Sequence, residues 1–279
     1  MTTQSDERLA ELAQVCHRMR YLIVDEIGKL GVGHLGGSLS EVEALVVLYY
    51  GGYLRVDPRN PQLEGRDRFI LSKGHSGPAL YAVLADRGFF PVSELQTLNT
   101  SGTNLPSHPD MNLTPGVDMT TGSLGQGFSA AVGVATAARL RADGARVFTL
   151  IGDGESHEGQ IWEAALYAGH SRLDNLVAFT DFNGMTIDGT VEQINGLEPL
   201  ADKWTAFGWN TVTVDGHDLA AVDRAVREAV AHTGQPSMIV LRTTKGKGVS
   251  FIEEAGTSNH NMPISAEQTA AALQELGAP

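Results

Sequence analysis

The sequence predicts an α/β fold of three layers, a mostly parallel sheet with helices on both faces. Two observations carry that prediction. Short apolar runs of strand length alternate with longer segments of helical period from residue 68 onward, an order that lays strands side by side and returns the chain through helices. Glycine is also abundant, at 32 of 279 residues, and it gathers in the loops that follow the strand-like runs, where a parallel sheet places its ligands. About five strands are expected, and no composition break marks a linker, so residues 1–279 are read as one domain.

The elements follow in order. Leu9, Leu12, Ala13, Cys16, Met19, Tyr21, Ile23 and Ile27 give residues 5–30 an apolar stripe at helical spacing. Gly28, Gly31 and Gly33 end that helix and open the loop Gly33-His-Leu-Gly-Gly37. Ser40 with Glu43 predicts a capping box that starts a second helix through Tyr50. A strand at 68–71 runs into Ser72-Lys-Gly-His-Ser-Gly77, and Pro78 opens a helix that closes near Gly88. The polar stretch 99–121, which holds Ser107-His-Pro109, is longer than a plain connector. Gly122-Ser-Leu-Gly-Gln-Gly127 leads into a helix of small residues, among them Ala130, Ala131, Gly133 and Ala135, whose surface admits another backbone closely. Further strands are expected at 147–151, 176–181, 211–214 and 238–242, with helices to about His170, to Phe207 and over 219–232. A capping box at Ser265 and Gln268 starts the last helix.

Charge and cysteine use narrow the function. Twenty basic against 33 acidic residues leave a formal charge of −13, a field that repels nucleic acid and anionic membrane surfaces. An anionic ligand must therefore be held by local donors or by a metal. Cys16 is the only cysteine, so no intrachain disulfide and no cysteine metal cluster is available, and it reads as a small buried hydrophobe. The polar N-terminus lacks the apolar core of a signal peptide, and no apolar run reaches the ~18 residues of a membrane span. The cytoplasm is the expected location.

The chemistry concentrates in Ile151-Gly-Asp-Gly-Glu-Ser-His-Glu-Gly159 and in Asn183-Gly-Met185. Asp153 and Asn183 each follow a strand of one strand–helix–strand unit, and a right-handed crossover places both on the carboxyl rim of the sheet. Both present oxygen, as Mg²⁺ and Ca²⁺ require, and Mg²⁺ commonly joins protein carboxylates to phosphates. Gly152 and Gly154 let the backbone approach a phosphate at a helix N-terminus. Taken singly, Asp153 also reads as a helix cap and Asn183-Gly184 as a turn. A dinucleotide fingerprint fails, because His157 stands where the third glycine belongs. An acid between two glycines repels a bare pyrophosphate, which favours an intervening cation.

Gly152-Asp-Gly154 followed by Asn183 resembles the thiamine diphosphate motif. The longer segments resemble transketolase in particular: Gly152-Asp-Gly-Glu-Ser-His-Glu-Gly-Gln-Ile-Trp-Glu-Ala-Ala165, Ala168-Gly-His170 and Asp181-Phe-Asn-Gly-Met-Thr-Ile-Asp-Gly189. So do Gly33-His-Leu-Gly-Gly-Ser38, Ser72-Lys-Gly-His75, Ser107-His-Pro109 and Thr121-Gly-Ser-Leu-Gly-Gln-Gly127, in family order over nearly the whole chain. The resemblance implies the diphosphate-binding (PP) fold and a set of residue roles. Asp153, Asn183 and the main-chain carbonyl of Met185 bind Mg²⁺ or Ca²⁺. Gly154 and His75 contact the diphosphate, Gly122 and Leu124 line the cofactor rings, and Ile187 packs against them. His34, His108 and His260, with His75, are the catalytic histidines that face the reacting carbon and the sugar hydroxyls. Histidine suits that task because it titrates near neutrality. His260 lies in Ser258-Asn-His-Asn-Met-Pro263, where the family more often reads His-Gly. Glu158, placed with the cofactor-binding residues, and Glu163 match acids of a carboxylate network at the subunit interface.

In the family a second domain binds the aminopyrimidine ring and supplies the glutamate that activates it, together with arginines for the substrate phosphate. The resemblance therefore implies the N-terminal subunit of a split transketolase. It would transfer a two-carbon ketol unit from a ketose to an aldose only with a separate C-terminal subunit, as an α2β2 assembly. The helix after Gly127 and the helix through Trp162–Tyr167 are the expected partner surface. Alternatives are a subunit of another thiamine diphosphate enzyme, of the 2-oxo acid dehydrogenase or deoxyxylulose phosphate synthase type, or a non-catalytic paralogue. Pentose phosphates, a branched sugar phosphate and a sulfo-sugar all remain open as substrates. Lys245 and Lys247, in Lys245-Gly-Lys-Gly248, read as a solvated turn with an anion contact as the alternative.

Overall fold

The computed structural model describes residues 2–279. In chain order the elements are α1 (Thr2–Leu30), β1 (Val32–Gly33), α2 (Leu35–Ser40), α3 (Val42–Tyr50), β2 (Arg68–Leu71), α4 (Gly77–Asp86), α5 (Gln126–Arg141), β3 (Val147–Gly152), α6 (Gly159–His170) and β4 (Leu176–Phe182). The chain continues through α7 (Val191–Asn195), α8 (Leu200–Ala206), β5 (Asn210–Asp215), α9 (Leu219–Ala231), β6 (Ser237–Arg242), α10 (Ser250–Glu254), β7 (Met262–Pro263) and α11 (Ala266–Leu276). The main sheet has five strands in the order β2-β3-β4-β6-β5, and every pairing in it is parallel. This is the predicted three-layer α/β architecture.

The period of two along the strands builds both layers. Phe148 and Leu150 of β3, Val177 and Phe179 of β4, and Ile239 and Leu241 of β6 join a core with α1, α3, α4 and α9. The residues between them, Val147, Ile151, Ala178, Met238 and Val240, join a second core with α5, α6 and α8. Central strands buried on both faces need no polar alternation, and all of β3 and β4 is buried. In the second core Trp204 is fully enclosed and packs edge-on against Phe128 and Trp209.

Four strands end at one edge and open into the loops that carry the glycine motifs. β2 runs into Ser72–His75, β3 into Asp153, β4 into Asn183 and β6 into Lys245. Two local features differ in their outcome. The capping box at Ser265 forms, with Gln268 N–H donating to Ser265 Oγ at 3.2 Å and Ser265 N–H to Gln268 Oε1 at 2.9 Å. The one expected at Ser40 does not. Ser40 lies inside α2 and donates its hydroxyl to Asp181 at 2.6 Å, while Glu43 accepts from Arg20 at 2.6 Å. The backbone of Ser40 is already helical and the cap position of α3 falls on Glu41, so the hydroxyl has no helix start to cap. The ladder between β1 and β7 is antiparallel and pairs Gly33 with Met262; two-residue strands carry no periodic signal. Cys16 is buried in α1, and burial pushes its thiol up. Among the described residues no helix is long and apolar enough to cross a membrane.

Trp204→Ala removes the centre of the second core. It is expected to cost about 3–5 kcal/mol, read as a lowered denaturation midpoint with the slope of the transition retained.

Candidate active site at the carboxyl edge of the sheet

A pocket of about 390 Å³ opens where the four strand-end loops meet. It is lined by His34, His75, His108 and His260, by Gly122 and Leu124, and by Asp153, Gly154, Asn183, Met185 and Ile187. The structure thus brings together eleven residues singled out from the sequence. Glu158 stands apart. It is exposed at the start of α6, outside the pocket, with its Cβ beside the position a Cβ on Gly125 would take. It does not line the pocket, unlike the other candidates for cofactor binding. Glu163 is exposed in the groove between α5 and α6, together with Ser129, Gly133 and Tyr167.

The histidines form one cluster. Ring centroids lie 5.4 Å apart for His34 and His75, 5.7 Å for His34 and His108, 5.3 Å for His34 and His260, and 4.7 Å for His75 and His260. The β1–β7 ladder makes this possible, because pairing Gly33 with Met262 sets the next residue on one strand and the second before on the other side by side. Gly122 has φ +141°, and a Cβ there would meet the His108 ring at 3.0 Å, so only glycine lets the ring lie against this loop. Burial lowers the imidazoles, His34 to about 4 with help from His108 and the lysines, and His260 to about 3 with help from Lys245. Burial also holds His75 well below its ordinary value and lowers His108. The cluster is therefore neutral at pH 7, and each ring offers one donor and one acceptor to a hydroxyl.

The acids sit lower in the pocket. Asp153 Oδ1 accepts from Gly154 N–H at 2.7 Å, and Oδ2 from Gly184 N–H at 2.6 Å. Asn183 Oδ1 accepts from Met185 N–H at 3.1 Å, while its Nδ2 donates to Asp181 at 3.1 Å. The cap and turn readings of these residues thus hold at the same time as their place in the pocket: the turns fix the side chains that face it. Burial, then the charge of Asp181, pushes Asp153 up to about 7 against its two N–H donors. A cation placed beside it would favour its charged form. Among the described residues no three His, Cys, Asp or Glu side chains group as metal ligands; a metal here would have to take one carboxylate, one amide oxygen and backbone carbonyls. All-oxygen donors suit a hard divalent ion.

Two buried groups, Lys73 and Glu155, escaped the sequence reading, and a third, Lys245, differs from it. Lys73 lies beneath the pocket, 1% exposed, and donates to Asp181 at 2.6 Å and to the carbonyl of Gly37 at 2.7 Å, with Glu41 at 3.0 Å. Glu155 accepts from Ser72 Oγ at 2.5 Å, Gly125 N–H at 2.9 Å and Gly152 N–H at 3.1 Å, which ties the Gly122–Leu124 loop to the Asp153 loop. Lys245 is 3% exposed and lines the pocket, with Nζ 3.4 Å from His260 Nδ1. The solvated-turn reading is therefore wrong for Lys245. Burial and the charge of Lys73 lower it to about 8, so it carries most of a positive charge at pH 7. A charged residue in a glycine-rich turn reads locally as solvated; only its buried neighbours reveal otherwise.

Lys73→Met leaves Asp181 and Glu41 buried without their cation and is expected to cost about 3–5 kcal/mol, measured by chemical denaturation. For His34 the folded value of about 4 lies below the ordinary 6.5. The unfolded chain then takes up a proton that the folded chain refuses, so the stability is present above pH 6.5 and lost as the pH falls toward 4. His34→Asn is expected to flatten the melting temperature over that window.

Comparison with known proteins agrees with this geometry. Residues 12–279 match the family model described as transketolase, thiamine diphosphate binding domain. The 6-deoxy-6-sulfo-D-fructose transketolase subunit of a Clostridium species is 55% identical over 97% of this chain and 98% of its own length. An apulose-4-phosphate transketolase subunit from Phocaeicola vulgatus is 39% identical over 92% of this chain and 90% of its own. Among solved structures, the transketolase of Leishmania mexicana superposes with a TM-score of 0.89 at 31% identity, over 95% of this chain and 41% of that one. The chain belongs to the transketolase family, by way of its thiamine diphosphate-binding domain.

Proposed function

We propose that residues 1–279 act as one diphosphate-binding domain, the N-terminal subunit of a split transketolase that moves a two-carbon ketol unit from a ketose to an aldose. The observation that carries this reading is coverage: the chain matches 98% and 90% of relatives named as transketolase subunits, against 41% of a solved transketolase. We place the protein in the cytoplasm and assign a separate C-terminal subunit, in an α2β2 assembly, for the aminopyrimidine side of the cofactor. The groove between α5 and α6, lined by Glu163 and by Tyr167, which is 50% exposed, is the proposed partner face, and the exposed Glu158 starts α6.

Asp153, Asn183 and the carbonyl of Met185 hold Mg²⁺ or Ca²⁺ in this reading. Gly154, His75 and Lys245 face the diphosphate, and Gly122, Leu124 and Ile187 pack on the rings. Bound thiamine diphosphate supplies the electron sink for breaking the ketose carbon–carbon bond. The chain's own part is proton handling and placement. Neutral His34, His108 and His260 accept and return protons at the sugar oxygens, and their low values keep them available as bases at pH 7. Asp181 orients Asn183, and Glu155 holds the ring-facing loop at a fixed distance from Asp153.

Two lysines line the pocket, and Lys73 is consumed by its own acids. Lys245 is left for the diphosphate, so recognition of an anionic sugar terminus falls to the partner subunit. The 55% relative favours 6-deoxy-6-sulfo-D-fructose as the donor; a ketose phosphate is the second reading, from the relative named for apulose 4-phosphate. The test is reconstitution. The chain alone is expected to be inactive, and with its partner kcat/KM for the sulfo-sugar is expected to exceed that for fructose 6-phosphate by at least about tenfold. Turnover by the chain alone rejects the split; a preference for ketose phosphates selects the second reading.

A further inference from the structure

Lys245 sits in the pocket without a counterion. Lys73 is fixed by its ion pairs with Glu41 and Asp181, whereas among the described residues no acid pairs with Lys245, whose side-chain contact is a ring nitrogen of His260 at 3.4 Å. Burial and the charge of Lys73 both work against its ammonium. Its place in the pocket therefore depends on the backbone that carries it, the turn at 244–248 between β6 and α10. Residues far away in sequence grip that turn at both ends.

At its start Thr244 N–H donates to His217 Nε2 at 2.8 Å. Nε2 then carries no proton, so the ring's proton is on Nδ1, which lies 3.2 Å from Glu43 Oε2. Glu43 is buried in α3, and its other oxygen accepts from Arg20 Nη2 at 2.6 Å. Arg20, in α1, completes the clamp: its Nε donates at 3.0 Å to the carbonyl of Lys247, near the other end of the turn. Burial acts to raise Glu43, and the bond from His217 and the charge of Arg20 reverse that and hold it below its ordinary value. Gly248 admits the arginine, since a Cβ there would meet Arg20 Cδ at 2.9 Å. Between the two grips, Gly246 N–H donates to the carbonyl of Gly36 at 2.9 Å, and Asn259 Nδ2 to that of Lys245 itself at 3.2 Å.

We propose that His217 is a positioning residue for the reaction, which with Glu43 and Arg20 fixes the turn that presents Lys245 to the cofactor's diphosphate. This inference rests on the assignment of Lys245 to the diphosphate above. None of the three clamp residues lines the pocket, so they act through the lysine. Histidine suits the position because one ring nitrogen accepts from the turn while the other donates to the buried acid. A role confined to holding the fold would lower stability with or without Lys245. Positioning makes the loss of binding conditional on the lysine.

The test is a double-mutant cycle read by calorimetry with Mg²⁺, using the full chain together with its partner subunit. Inorganic pyrophosphate is titrated into wild type, Lys245→Met, His217→Leu, the double variant and His217→Gln. His217→Asn, which keeps a donor for Glu43 but is too short to accept from Thr244, replaces the leucine variant if that does not fold. Lys245→Met is expected to raise the Kd about tenfold and His217→Leu about fivefold. Adding His217→Leu to Lys245→Met is expected to change it by less than about twofold. His217→Gln, whose side-chain oxygen accepts from Thr244 N–H, is expected within about twofold of wild type. Unchanged affinity in His217→Leu overturns the proposal. So does the same loss in both backgrounds, which assigns the effect to the fold at large, or an equal loss in the leucine and glutamine variants. If Lys245→Met itself binds pyrophosphate as wild type does, the assignment of Lys245 falls, and the inference with it.

Discussion

A single buried cation holds the site together. Lys73 follows β2 and reaches Asp181 at the end of β4, Glu41 before α3 and the carbonyl of Gly37 in α2. Each charge costs several kcal/mol to bury alone, so none of these loops settles without the others. The consequences spread outward from the pair. Asp181 receives Ser40 and Asn183, which orients the amide beside Asp153. α2 carries His34 at its start, and the Lys73 loop carries His75. Positions of three catalytic-edge loops thus depend on one ammonium group that never meets the pocket contents as a free charge.

Above that layer the acids divide by environment. Glu155 accepts two backbone N–H groups and a hydroxyl, so its hydrogen bonds are satisfied within the chain. Asp153, just before it in the same loop, has two N–H donors and a second carboxylate nearby, and burial leaves it poised near neutrality. The first acid is a brace. The second keeps its charge only against burial and Asp181, and a cation beside it would restore the carboxylate form.

The histidines show the same logic with the sign reversed. Their values are depressed because they share a partly buried pocket with one another and with Lys73 and Lys245. In the function proposed above, a base at a sugar hydroxyl must be unprotonated at working pH, and this arrangement would meet that need without a carboxylate partner. The cost falls on acid stability. In a chain carrying −13 overall, Lys245 is the one pocket lysine among the described residues that is not paired with an acid.

By itself the sequence determined the alternation of strands and helices, the placement of the glycine motifs at strand ends and the Ser265 cap, because these depend on local periodicity and on short-range hydrogen bonds. Asp153, Asn183 and His75 were legible because each follows a strand at one edge of the parallel sheet, whereas His34, His108 and His260 were legible through the resemblance to transketolase. The tertiary structure alone decided the rest. Lys73 and Lys245 are buried by residues far away in sequence, and Ser40 lies inside α2 with its hydroxyl on Asp181, a residue of another element. The β1–β7 ladder that sets His34 beside His260 exists only once both ends are in place. Burial and protonation are properties of neighbours, and a linear pattern does not name a residue's neighbours.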